Sequence, residues 1–158
     1  MLAGLFLIVM SAQVGAAQNA LKFGTWKLNL EKSKFDPGPP PRSDTRTYED
    51  AGGGLVKSTH TTVSADGKES LTIYAAKFDG REYPVETKGS STPGSIAFHV
   101  VDAYSESFVL KRGGKVATTG NTMVSKDGKT LTITTRSPGA QGRESNNINV
   151  YEKQSRRL

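Results

Sequence analysis

The sequence predicts an all-β protein: a closed, antiparallel, up-and-down barrel of about ten strands that follows an N-terminal signal peptide. Three observations lead there. From Ser43 onward the chain is a succession of short β-rich runs, each ended by glycine or by an Asp-Gly pair, as at Gly52-Gly53-Gly54, Asp66-Gly67, Asp79-Gly80, Gly113-Gly114 and Asp127-Gly128. Such residues supply the positive φ that tight hairpins require. Helical periodicity is absent outside the first residues. A run of hairpins between sequence neighbours leaves two free sheet edges, and closing the sheet removes both.

Taken in order, Leu2 to Met10 is an apolar run, followed by the small residues Val14-Gly15-Ala16-Ala17 ahead of the first charged side chain, Lys22. This is the outline of a secretory signal peptide. Leu2 to Ala17, with Gln13 inside it, falls short of the roughly 20 apolar residues that span a bilayer as a helix. Residues 1–17 are therefore expected to be a signal peptide and residues 18–158 one barrel domain, with no integral membrane span and a periplasmic or secreted location. The chain has no cysteine, so disulfides are excluded and the domain is held by its core alone.

The first strand is expected over residues 24–30. Alternation puts Trp26, Leu28 and Leu30 on one face and Thr25, Lys27 and Asn29 on the other. The single tryptophan of the chain is thus the anchor of the first strand. Glu31 to Arg42 contains Pro37, Pro39, Pro40 and Pro41, which remove backbone donors and disfavour helix, so an extended loop is expected there. Further strands are expected near residues 43–50, 55–63, 69–78, 81–86, 95–102, 105–112, 115–125, 130–136 and 145–153. Val63-Ser64-Ala65-Asp66-Gly67-Lys68, followed by Leu71-Thr72-Ile73, recurs as Val124-Ser125-Lys126-Asp127-Gly128-Lys129 and Leu131-Thr132-Ile133. Two matched hairpin turns explain the repeat; a calcium loop would need further carboxylates and a phosphate loop a longer glycine run.

Lys plus Arg number 21 against 15 Asp plus Glu, a net charge of +6. Acidic and basic residues interleave, as in Lys68-Glu69 and Arg81-Glu82, and no aromatic and basic interleaving of the base-stacking kind occurs, so no nucleic-acid partner is expected. Chemistry-bearing groups are sparse. His60 and His99 lie in expected strands without a second ligand at metal spacing, and no serine stands in a Gly-x-Ser-x-Gly turn. Asp102 and Glu106 flank an expected turn and are accounted for by solvation. The chain is read as a non-enzyme, without metal or cofactor, and as a monomer.

Phe23-Gly24-Thr25-Trp26-Lys27-Leu28 and Val150-Tyr151-Glu152-Lys153 resemble the opening and closing strands of the fatty-acid-binding proteins, within the lipocalin-like (calycin) barrels. The chain as a whole is similar to small exported lipocalin-like proteins of bacteria. The resemblance implies an internal site for a small, mostly apolar molecule. The family closes its last strand with Arg-x-Tyr for a ligand carboxylate; Tyr151 matches, while Asn149 stands at the arginine position. On that basis neutral apolar ligands are expected to be preferred over free fatty acids, with Tyr151 and Asn149, rather than either histidine, at the site. Tyr74, Phe78, Phe98 and Phe108 are the aromatic candidates for its walls. Two alternations stay open: Leu71, Ile73 and Ala75 against Thr72, Tyr74, Ala76 and Phe78, and Ile148 with Val150 against Asn149 with Tyr151. An alternative use of the same barrel is as a rigid scaffold for an envelope interaction or inhibitor protein, with the Pro-rich loop as contact. An internal cavity of a few hundred Å³ favours the ligand-binding reading.

Overall fold

The computed structural model describes residues 20–139 and 142–155; the expected signal peptide, residues 1–17, lies outside the described residues. Eleven strands form one antiparallel sheet: β1 (Gly24–Leu28), β2 (Lys34–Asp36), β3 (Ser43–Asp50), β4 (Val56–Val63), β5 (Glu69–Ala76), β6 (Asp79–Thr87), β7 (Gly94–Val100), β8 (Ser105–Arg112), β9 (Lys115–Val124), β10 (Thr130–Ser137) and β11 (Ser145–Lys153). From β3 to β11 each strand pairs with its sequence neighbour, and β1 pairs with both β3 and β11. The result is a closed ring of ten strands with β2 as an extra piece.

The extra strand corrects the expectation of an unbroken loop over residues 31–42. β1 covers only the last part of β11, with Leu28 opposite Tyr151 and Trp26 opposite Lys153. The first part of β11 would otherwise be an unpaired edge. Lys34, Phe35 and Asp36 fill it opposite Ile148, Asn147 and Asn146, and pairing stops at Pro37, which has no backbone donor.

The repeat resolves as two like turns. Gly67 N donates to Ser64 O and Gly128 N to Ser125 O, at 2.9 and 2.8 Å. Both serine hydroxyls bond the aspartate two residues on, Ser64 to Asp66 and Ser125 to Asp127. Both glycines have positive φ.

Trp26 is fully buried, in a cluster with Leu28, Tyr48, Val56, Val124, Leu131, Ile133 and Tyr151. Leu30, expected on the same face, lies beyond the strand end and is exposed. The residues just ahead of β1 close one end of the barrel. Trp26 Nε1 donates to the Lys22 carbonyl at 2.8 Å, and Lys153 Nζ donates to the Leu21 carbonyl at 2.8 Å. The Lys22 side chain turns inward, where it forms an ion pair with Glu106 of β8. Its ammonium sits 4.8, 5.0 and 5.5 Å from the ring centroids of Tyr48, Phe78 and Phe98. Both partners are buried, so the expectation that solvation accounts for Glu106 does not hold. Its place on β8, opposite Thr122 of β9, puts it on the inner face, while Asp102 remains a turn residue that caps Tyr104 N.

Removing one member of a buried pair strands a charge in low dielectric, costing about 3–5 kcal/mol, whereas apolar replacement of both is often near neutral. Lys22→Met is therefore expected to lower unfolding free energy by roughly that amount, and Lys22→Met with Glu106→Leu to recover most of it. Urea denaturation of the three variants measures this; a double variant as unstable as the single one would show that the pair contributes through packing instead.

Candidate functional site

Strand alternation is settled by which residues reach the barrel interior. A cavity of about 300 Å³ lies inside the ring, walled by Tyr74, Val85, Ile96, Phe98, Phe108, Leu110 and Ile133, with Thr72, Thr118, Thr122, Thr135 and Ser137 between them. Tyr48, Arg46, His60 and Arg112 complete it. On β5 it is therefore Thr72 and Tyr74 that face in. On β11, Asn149 pairs with Ile133 and Asn147 with Thr135, and opposed residues share a face. Asn149 and Tyr151 thus belong to the inner face, and Ile148 is exposed.

Of the six residues singled out from sequence, Tyr74, Phe98 and Phe108 line the cavity. The Phe98 ring lies tilted against Tyr74 and Phe108, with centroids 5.6 and 5.9 Å away. Phe78 meets Phe98 edge-on at 5.0 Å and packs against the core clusters without joining the lining. Tyr151 is fully buried behind the wall. Asn149 also stands back from the lining, its Oδ1 buried without a hydrogen-bond partner.

The polar part of the cavity was not found from sequence. On β3, Asp44, Arg46 and Tyr48 share the inner face, and on β4 Ser58, His60 and Thr62 oppose them in register. His60 Nε2 lies 2.7 Å from Asp44 Oδ2, and the Thr62 hydroxyl donates to the same oxygen at 3.2 Å. A carboxylate only accepts, so Nε2 carries the proton. Arg46 Nε donates to the Tyr151 hydroxyl at 3.0 Å and is 3.8 Å from Asp44 Oδ1. Its guanidinium stands over the Tyr151 ring, 5.3 Å from the centroid.

Tyr151 therefore orients an arginine. The premise that Asn149 leaves the site without a permanent charge is corrected: the guanidinium comes from β3 across the closure instead of from β11. The expectation that neither histidine reaches the site is corrected as well, since His60 lines the cavity, whereas His99, next to inward Phe98, is exposed. Parity from Phe108 would have found Arg112, at i+4 on β8, and parity from Tyr48 would have found Arg46. What was missing was the inward sense of β3 and β4, which the long proline-containing connection hides.

Burial pushes the His60 imidazole below its ordinary value, and Arg46 pushes it further, outweighing the pull of Asp44. Burial would raise the Asp44 carboxyl, but the His60 hydrogen bond and the Arg46 charge together hold it below its usual range. Burial drives the Tyr74 and Tyr151 phenols well above the ordinary tyrosine value. At neutral pH the cluster thus holds neutral His60, anionic Asp44 and cationic Arg46. Among the described residues no group of three or more potential metal ligands occurs, and no helix is long and apolar enough to cross a membrane.

No protein-family model matches the chain, and no curated protein matches its sequence. Among solved structures it resembles the β-barrel protein EF1p2_mFAP2b, solved bound to DFHBI, with a TM-score of 0.51 over 87% of this chain and 98% of that one. Identity is 8%, so the likeness is one of barrel fold alone.

The His60 and Asp44 shifts each contribute to the pH dependence of stability. As pH falls through 6.5, His60 protonates in the unfolded chain while folded His60, with its lowered value, does not. Stability is therefore lost from 6.5 downward until the folded value is reached. A second loss begins below 3.8, where the unfolded aspartate protonates before folded Asp44 does. His60→Gln is expected to flatten the first slope and, by removing the imidazole bonded to Asp44, to alter the second. Denaturant titrations across this range measure both; an unaltered first slope in the variant would exclude His60 as its source.

Proposed function

We propose that this barrel binds a small, mostly apolar molecule in its interior, carrying it without transforming it, and that the molecule's polar end is anionic. The observation that carries this reading is the cavity of about 300 Å³ whose apolar wall is interrupted by the Arg46 guanidinium, held in place by Tyr151. A volume of that size lies at the lower end of the range usual for small-molecule sites. Phe98, Phe108, Ile96 and Leu110 offer dispersion and area burial to an aliphatic or aromatic body. Arg46 is charged at every working pH, and a hydrogen bond to a charged group contributes about 1.5–3 kcal/mol. A cavity that could hold a ligand favours this use over that of a scaffold presenting its proline-rich loop.

The test is displacement of an environment-sensitive apolar fluorophore by octanoate and by octylammonium, which share a chain and differ in sign of charge. Octanoate is expected to compete about ten-fold or more better, the factor that such a charge-assisted bond supplies. Thr122→Trp, which fills the cavity, is expected to abolish fluorophore binding. Equal competition by the two ions would overturn the anionic end, and unimpaired binding in Thr122→Trp would place the fluorophore outside the barrel.

We also propose that residues 1–17 direct export, so that the carrier works in the periplasm or outside the cell. N-terminal sequencing of the exported protein is expected to begin near Ala17 or Gln18; a soluble cytosolic form that retains Met1 would refute it.

A further inference from the structure

The cavity contains a second guanidinium whose situation differs from that of Arg46. Arg112, at the end of β8, lines the same space. Its Nη2 donates to the Thr87 hydroxyl at 2.8 Å, and Thr87 is in turn 3.2 Å from the Thr72 hydroxyl. Its Nη1 is buried and has no hydrogen-bond partner. Arg46 has Asp44 beside it, whereas none of the ion pairs among the described residues involves Arg112. A half-buried guanidinium with one nitrogen sealed and unbonded and no counter-charge is costly, since an unmade bond forfeits the solvation of that donor. The strand backbone makes room for it: a Cβ on Gly94, opposite Arg112 in the β7–β8 register, would lie 2.6 Å from Nη1.

Ring position fixes how the two arginines face each other. In the ten-strand ring, β3 and β8 are five steps apart through β4 to β7 and five steps apart through β1, β11, β10 and β9. Arg46 and Arg112 are therefore rooted on opposite walls of one cavity, whose lining also includes Phe98, Phe108 and Leu110. A ligand with one polar end satisfies one of them and leaves the other as it is.

We propose that Arg112 is a second, specificity-determining anchor, and that the ligand class is two-ended: a compact molecule with an apolar middle, a carboxylate or like anion on Arg112, and a second anionic group on Arg46. Dicarboxylates of medium chain length are the simplest members of the class. The proposal rests on the interior-binding reading above. It adds that the second end contributes to affinity and that Arg112 is what recognises it.

The experiment displaces the same apolar fluorophore from the full barrel with matched pairs of straight-chain acids: hexanoate and hexanedioate, octanoate and octanedioate, decanoate and decanedioate. The expected result is a diacid that competes about ten-fold better than its monoacid at one chain length, because a charge-assisted anchor is gained. In Arg112→Met that advantage, read as the ratio of diacid to monoacid competition within the same variant, is expected to vanish. Gly94→Ala, which displaces the guanidinium without removing its charge, is expected to reduce the advantage, and Arg112→Lys to retain part of it. Thermal unfolding of each variant checks that the barrel is intact. If no diacid surpasses its monoacid, or if the advantage survives in Arg112→Met, the second anchor is overturned while interior binding stands. If the fluorophore does not bind the native barrel at all, both readings fall.

Discussion

Everything in this molecule depends on the meeting of its first and last strands. β1 contributes three residue pairs to β11 and four to β3, and without the former the sheet would be open. Backbone bonds over so short a seam do not hold a barrel closed by themselves, because each nets only about 1 kcal/mol. The seam holds because Trp26, at the centre of β1, is wholly enclosed and is tied through its indole nitrogen to Lys22, just before the strand. Lys153, the residue opposite Trp26, lies over the indole ring at 5.0 Å. Closure and core are thus one interaction seen from two sides.

That seam also accounts for the polarity of the interior. Because β11 abuts β1 and β1 abuts β3, Tyr151 comes within hydrogen-bond reach of Arg46, although the two are 105 residues apart in sequence. The barrel interior then divides along its axis. At one end the Lys22–Glu106 pair is sealed among Tyr48, Phe78 and Phe98, with its charges neutralising each other. Phe98 also lines the cavity, where two guanidiniums and a neutral imidazole are exposed to the space, with the one carboxylate, Asp44, beside Arg46 and His60. Phe98 contacts both the paired charges at one end and the cavity, which carries an excess of positive charge.

The strands, their order and the barrel were legible because each depends on local patterns: alternation, glycine at the turns and hairpins between neighbours. Residues 34–36 escaped notice because three residues beside four prolines carry no periodicity; their strand exists only because β11 presents an edge there. The aromatic lining was half legible. Tyr74, Phe98 and Phe108 were found as large residues in strands, but Phe78 could not be told from them without knowing where the core ends. The charged residues were hidden for a different reason. Arg46, Asp44 and His60 read as ordinary polar residues of two Thr-rich strands, and only a register fixed across the closure turns them inward. Glu106 was misjudged in the same way, since its partner, Lys22, precedes the first strand.

The placement of the seam sets when the protein can acquire its structure. Trp26 is among the first residues of the domain to be synthesised and its cross-seam partner, Lys153, among the last. Sheet contacts that join chain ends carry the greatest loop-closure entropy and form slowly. Hairpins such as β4–β5 form from local sequence, but the core around Trp26 is incomplete until β11 is available. A nascent chain of this kind stays open throughout its synthesis, with β1 unpaired along one edge. That is a hazard for a chain that folds where it is made. It is an advantage for one that is threaded through a membrane pore first, because there is no closed barrel to unravel at the entrance.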